Sequence, residues 1–300
     1  MYALRNLKLD GRQTTVIELG DQWYPLAEAA AALGLTDLPG SVEGVIADWG
    51  RYQPDLEQIA AQTHRLGAPV AGAIETLAPL LYPGKVLCAG ANYYDHLVEM
   101  GVPSEKERQR LFFFFKPPRQ AVVGPGNTVR MPVGCRMLDW EVELALVIGR
   151  TARALTLEDA LAHVAAYTVA IDLSARDLGR APETFYKVDW VAGKAHDTCC
   201  PLGPRLVPAK FIGDPHDLAL RLSVNGEIKQ DARTSGMVFD IREQLVALTR
   251  IMTLEPGDVV LTGTPAGVGL PKGTFLQVGD VVRAEIEKIG TLEVGIQAPA

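Results

Sequence analysis

Asp139-Trp140-Glu141-Val142-Glu143-Leu144-Ala145-Leu146-Val147-Ile148 is the stretch from which the fold is read. Every residue after Glu143 is apolar, and a short apolar run of this kind reads as a buried strand. Side chains along a strand alternate between faces, so Glu141 and Glu143 project together while Val142 and Leu144 project the other way. Two carboxylates side by side in a core repel each other and lose hydration, and something must compensate. A divalent cation does so directly, and an all-oxygen donor set favours hard ions such as Mg2+ or Mn2+, with Ca2+ a further candidate. Taken alone, E-x-E more often marks a solvent-facing pair on an edge strand. Asp172 changes the weighting: it ends the apolar run Tyr167–Ile171 and offers a third carboxylate at the end of a second buried strand.

Outward from this segment, strand signals dominate. Thr14–Glu18, Val86–Ala89, Leu218–Val224, Val259–Leu261 and Val281–Glu287 read as strands, and Phe112–Phe115 as a fully buried one. Asn225-Gly226 between two such runs predicts a hairpin, because both residues tolerate positive φ. Helices are expected at Pro25–Leu33 and Asp55–Leu66, and after the capping-box pair Asp240 and Glu243. Strands far outnumber helices without βαβ alternation, so the expected class is mainly β (α+β), and the pattern argues against a doubly wound sheet. The breakers Tyr82-Pro83-Gly84 set a boundary between a small N-terminal α+β unit, 1–80, and a larger catalytic unit, 81–300.

The bulk composition agrees with a globular protein. The 300 residues are 48% hydrophobic and 22% charged, with a net charge of −7. That balance argues against nucleic acid or an anionic membrane as partner and leaves small anionic substrates open. None of the four cysteines forms a C-x-x-C pair, and adjacent Cys199 and Cys200 are too close for an ordinary disulfide. The N-terminus, MYALRNLKLDGRQ, lacks a signal-peptide pattern, and no apolar run approaches the roughly 20 residues that span a bilayer. A reduced, cytoplasmic setting is the expectation.

Several polar residues stand out. His96 and Glu99 share a face if Asp95–Glu99 is helical, and a carboxylate beside an imidazole fixes its tautomer and raises its basicity; the plain alternative is an exposed i,i+3 pair. Thr264, in Leu261-Thr262-Gly263-Thr264-Pro265, could hold a substrate carboxylate through its hydroxyl or backbone N–H, or simply sit in a turn. Arg176 is a candidate anion binder, or else the partner of Asp177. Lys116 and Arg119 flank Pro117-Pro118 and are expected to line the entrance. His196, Cys199 and Cys200 read as structural, since no third ligand completes a zinc site.

Seven ordered blocks, CAGANYYDHLVEM, FFFKPP, DWEVELALVIG, IDLSARD, GKAHDTCCPLGP, LSVNGEIKQ and LTGTPAGVG, together resemble the fumarylacetoacetate hydrolase family over about residues 85 to 297, closest to its acylpyruvase and oxaloacetate-processing branches. The resemblance implies a mixed, rolled β-sandwich, a homodimer, and a metal held by Glu141, Glu143 and Asp172 and chelated by a 2-oxo acid substrate. It implies that His96 and Glu99 activate water and that Lys194 stabilises developing negative charge. The implied reaction is hydrolytic C–C cleavage of a β-diketo acid such as an acylpyruvate, releasing a 2-oxo acid. Decarboxylation, tautomerisation and hydration use the same enolate chemistry and are the alternatives, with a non-catalytic binding protein as a third. Two positions depart from close acylpyruvase relatives: Ala91 stands where they carry arginine and Gly179 where they carry glutamine.

Overall fold

The computed structural model describes residues 1–72 and 74–299 and is built on two large sheets, one of 11 strands and one of 5. Val142–Ile148 lies inside the larger sheet, antiparallel to Val164–Ile171 on one side and to Val259–Leu261 on the other. Its side chains divide as the alternation requires. Val142, Leu144, Leu146 and Ile148 join the core that includes Leu220, Leu222, Val282 and Ala284 of the smaller sheet. Ala145 and Val147 join a second core with Leu26, Val45, Ile46, Leu56 and Ile59 of the N-terminal helices. A strand covered on both faces has no solvated side to make polar, which is why the run is continuously apolar.

The larger sheet continues in the order Gln22–Pro25, Arg12–Leu19, Ala3–Leu9, Cys200–Pro208, Val164–Ile171, Val142–Ile148, Val259–Leu261, Val86–Ala89 and Phe113–Lys116. The N-terminal meander enters it where Leu4 pairs with Leu206. Val259–Leu261 and Val86–Ala89 run parallel while their outer neighbours run antiparallel, so the sheet is mixed. The smaller sheet holds Ala219–Val224 and Glu227–Arg233, joined by the expected hairpin with φ of 51° at Asn225 and 83° at Gly226. The capping box forms as read: Asp240 Oδ1 accepts Glu243 N–H at 2.9 Å and Glu243 Oε2 accepts Asp240 N–H at 2.8 Å. The mainly β, mixed-sheet class stands.

Two local expectations need correction. The phenylalanine strand spans Phe113–Lys116 and is not fully buried: Phe112 is 39% and Phe115 52% exposed. It ends the order of the larger sheet and pairs with Val86–Ala89, so alternate residues face out. The helix expected at Asp55–Leu66 spans Trp49–Ala61 and contains Pro54. Proline forfeits its own N–H bond, but buried Trp49, Leu56 and Ile59 anchor the helix on both sides of it. All four cysteines are buried and unbridged. No helix among the described residues is long and apolar enough to cross a membrane.

Candidate active site

The acidic cluster is a product of strand pairing. Val142 pairs with Ile171 and Glu143 with Ala170, which sets Glu141 beside Asp172, and Asp172 N–H donates to Glu141 O at 2.9 Å. Glu141, Glu143 and Asp172 are all buried, and each offers a carboxylate oxygen within 4.8 Å of the others. Buried carboxylates this close require cations. Lys194, at the end of the short helix Trp190–Lys194, places Nζ 2.7 Å from Asp172 Oδ2 and 3.1 Å from Glu141 Oε1. The same ammonium lies 4.9 Å from the Phe114 ring centroid, and that ring stacks on Trp190. Arg176 Nη2 lies 2.9 Å from Glu141 Oε1, and its Nε donates to Asp139 Oδ2 at 2.9 Å.

These contacts divide the trio unequally. Burial alone would raise the Glu141 carboxyl, but Lys194, Arg176, the Ser174 hydroxyl and His96 together pull it down to about 2. Glu143 goes the other way: burial, then Asp172 and Glu141, push it well above the usual carboxylate range. It accepts Gly263 N–H at 2.5 Å and has no cation within ion-pair distance among the described residues. Counting Asp139, Glu141, Glu143 and Asp172 against Lys116, Lys194 and Arg176, four carboxyl groups face three cations. The deficit sits at Glu143.

A glycine-rich segment roofs the cluster with backbone donors. Gly263 N–H serves Glu143, Gly267 N–H serves Glu99 Oε2 at 2.9 Å, and Gly269 N–H serves Asp139 Oδ1 at 2.6 Å. Gly263 has φ +99°, and a Cβ there would meet Asn92 Cβ at 2.7 Å, so only glycine fits. Glu99 Oε1 lies 2.7 Å from His96 Nδ1, within the helix Tyr94–Glu99. The imidazole is buried and near enough to Glu141 to help hold it ionised. The segment after this helix is tied down as well, with Lys106 Nζ donating to Glu243 at 2.7 and 2.8 Å.

Among the expected site residues, the structure thus brings together Glu141, Glu143, Asp172, Lys194, Arg176, His96 and Glu99. Others are placed differently. Arg176 pairs with Asp139 and Glu141, not with Asp177, whose carboxylate instead accepts Arg136 N–H at 2.8 Å. Lys116 is fully buried and lines no entrance: its Nζ donates to Leu173 O, Lys194 O and Cys199 O at 2.8 to 2.9 Å. Arg119 is exposed on the surface, its guanidinium 5.2 Å from the ring centroid of Tyr82. The Thr264 hydroxyl is committed, donating to Val142 O and accepting from Gln230 Nε2, which leaves its backbone N–H as the donor. Asp139, Ser174 and the Gly263–Gly269 donors were missed as site residues, although Asp139 opens the decisive segment. A cavity of about 610 Å3 lined by Trp49, Arg150, His163 and Lys210 lies at the far ends of these strands and holds none of the candidate residues.

The donor set fits a hard divalent cation. All three ligand groups are carboxylates, and Glu143 lacks a counter-charge. Asp172 Oδ1 is a buried acceptor without a hydrogen bond, although Lys116 Nζ lies 2.8 Å away, because the ammonium hydrogens point at three carbonyls.

Comparison with known proteins agrees with this geometry. Residues 85–297 match the family described as fumarylacetoacetate (FAA) hydrolase C-terminal. The chain is 43% identical over 221 residues to the oxaloacetate tautomerase fahd2, mitochondrial, of Xenopus laevis, covering 73% of this chain and 67% of that protein. Among solved structures, fumarylacetoacetate hydrolase from Exiguobacterium antarcticum superposes with a TM-score of 0.81 at 32% identity, covering 99% of this chain and 100% of that one. Maleylpyruvate hydrolase from Sphingobium sp. SYK-6, in complex with manganese(II) and pyruvate, superposes with a TM-score of 0.76 at 26% identity over 100% of both chains. Strand pairing, the buried carboxylate trio and these likenesses agree, and the chain belongs to the fumarylacetoacetate hydrolase family.

Proposed function

We propose that this protein is a divalent-metal-dependent enzyme that interconverts the keto and enol forms of a small 2-oxo acid of the oxaloacetate type. The observation that carries the reading is the placement of a tethered base and a fixed ammonium around one acidic cluster. Glu99 lies 2.7 Å from His96 Nδ1, so in the neutral imidazole the proton sits on Nδ1 and Nε2 is the ring nitrogen that acts as a base. His96 Nε2 takes a proton from the carbon beside the keto group and can return it to either carbon or oxygen. Lys194 Nζ, held by Asp172 and Glu141, donates to the oxygen on which negative charge develops. A Mg2+ or Mn2+ ion held by Glu141, Glu143 and Asp172 supplies Lewis acidity at the 2-oxo acid. The named activity of the Xenopus relative moves this reading ahead of C–C hydrolysis.

Hydrolysis of a β-diketo acid is the second reading. The same His96–Glu99 pair suits activation of water, and the Sphingobium neighbour is a hydrolase of a related acid. One assay separates the two. The enol absorbance of oxaloacetate and of a set of acylpyruvates is followed with Mg2+, with Mn2+ and with chelator, while products are identified. Faster keto–enol relaxation of oxaloacetate without new products supports tautomerisation, and release of pyruvate with a carboxylic acid from an acylpyruvate supports hydrolysis. Relaxation no faster than with the metal ion alone, and no products, sinks both and leaves a binding protein.

A further inference from the structure

Beside Lys194 a pocket of about 170 Å3 opens between the helix Trp190–Lys194 and the small hairpin that pairs Arg180–Ala181 with Lys187–Val188. It is small compared with sites for drug-sized ligands, which run from roughly 300 Å3 upward. It suits the remainder of a short acid whose 2-oxo end lies at the carboxylate cluster. Its wall includes Arg176, Arg180, Val188, Asp189, Trp190 and Lys194. Three of the charged groups are already committed. Arg176 pairs with Asp139 and Glu141, Lys194 pairs with Glu141 and Asp172, and Asp189 Oδ1 accepts Ala192 N–H at 2.9 Å to cap the helix. Arg180 is exposed and has no ion-pair partner among the described residues. The hairpin fixes its backbone opposite Val188.

We infer that Arg180 is a specificity-determining residue that selects 2-oxo acids carrying a second carboxylate at the far end. The inference rests on the proposed reaction for the position of the 2-oxo end, and on the pocket wall for the rest. A guanidinium offers a planar two-pronged donor that matches a carboxylate, and Val188 and Trp190 are its apolar neighbours in the wall. A methyl group in the same place leaves the guanidinium without a partner and gains little.

The test uses two acids of equal chain length, oxaloacetate and 2-oxobutanoate, which differ by a carboxylate in place of a methyl. Binding to the full chain in Mn2+ is read by calorimetry, separately from turnover. For the wild type, oxaloacetate binds more tightly than 2-oxobutanoate. In Arg180→Gln this preference falls by about 2- to 5-fold, the value of one solvent-exposed charge pair. Arg180→Lys, which keeps the charge without the fork, lies between. Where turnover is measurable, the loss falls on KM rather than kcat. A preference unchanged in Arg180→Gln, or a wild type that favours 2-oxobutanoate, overturns the inference even if tautomerisation is observed. A wild type that prefers oxaloacetate in binding but catalyses nothing, with the preference lost in Arg180→Gln, overturns the proposed reaction and leaves the inference standing.

Discussion

Replacing Lys116 with methionine isolates a residue that supports the site from behind. The ammonium fills a fully buried position, where burial works against its charge but Asp172 outweighs burial and keeps it protonated, its pKa above the normal range. Lys116→Met has nearly the same length and removes the charge. It leaves Leu173 O, Lys194 O and Cys199 O without this donor and Asp172 with Lys194 as its one remaining cation. Breaking one side of a buried pair costs about 3–5 kcal/mol. Stranded acceptors add about 1–3 kcal/mol each, discounted because a relaxed carbonyl finds water. The expected loss is therefore about 4–8 kcal/mol, much of the roughly 5–15 kcal/mol that a domain possesses. Denaturant unfolding followed by tryptophan fluorescence and circular dichroism measures it. Lys116→Met with Asp172→Asn should recover part of the loss, because the second change removes the anion left with one cation instead of two. A loss below about 1 kcal/mol for the single variant would refute the assignment of Lys116 as an internal strut.

Three further outcomes follow from the same geometry. Glu143 has a folded pKa raised above its unfolded value, so the stability it contributes without metal is complete below about pH 4.3 and is lost as pH rises through the folded pKa. Thermal melts in chelator should fall along that rise, while Mn2+ should flatten or reverse the slope and Glu143→Gln should abolish it; equal slopes in chelator for wild type and variant would contradict the assignment. His96→Asn should lower kcat by about 10²- to 10⁴-fold while Mn2+ affinity, read by calorimetry, stays within a few fold, since the imidazole is not in the ligand trio. Gly179→Ala places a Cβ 3.0 Å from Gly193 Cα, one residue from Lys194, and should cost about 1–3 kcal/mol in unfolding measurements and weaken turnover.

What the sequence made legible was local or periodic. The period of two placed Glu141 with Glu143, the end of an apolar run marked Asp172, and the hairpin and capping box announced themselves through backbone demands. Lys116 was misread because its acceptors come from residues 173, 194 and 199, which no local pattern connects to it. Lysine is also usually a surface residue. Arg176 was offered Asp177 as a partner by adjacency, yet the turn after Ser174–Ala175 directs the Asp177 carboxylate to the N–H groups of Arg136 and Leu178, and the true partners of Arg176 are Asp139 and Glu141. The donors Gly263, Gly267 and Gly269 act through backbone N–H groups, which carry no side-chain signal. Their glycines read only as turn residues.

The double burial of Val142–Ile148 leaves a problem of alignment for the folding chain. Where one face of a strand is wet, a slip of one residue is punished at every position; where both faces are dry, hydrophobicity is nearly indifferent to it. Val142–Ile148 and Val164–Ile171 are both buried throughout. The information that separates the correct pairing from its neighbours is therefore concentrated at the charged end. A shift of one residue there would carry Glu143 or Asp172 away from Lys194, Lys116 and the Gly263 N–H and strand a carboxylate in the core. The residues that give the site its chemistry thus also act as its registration mark.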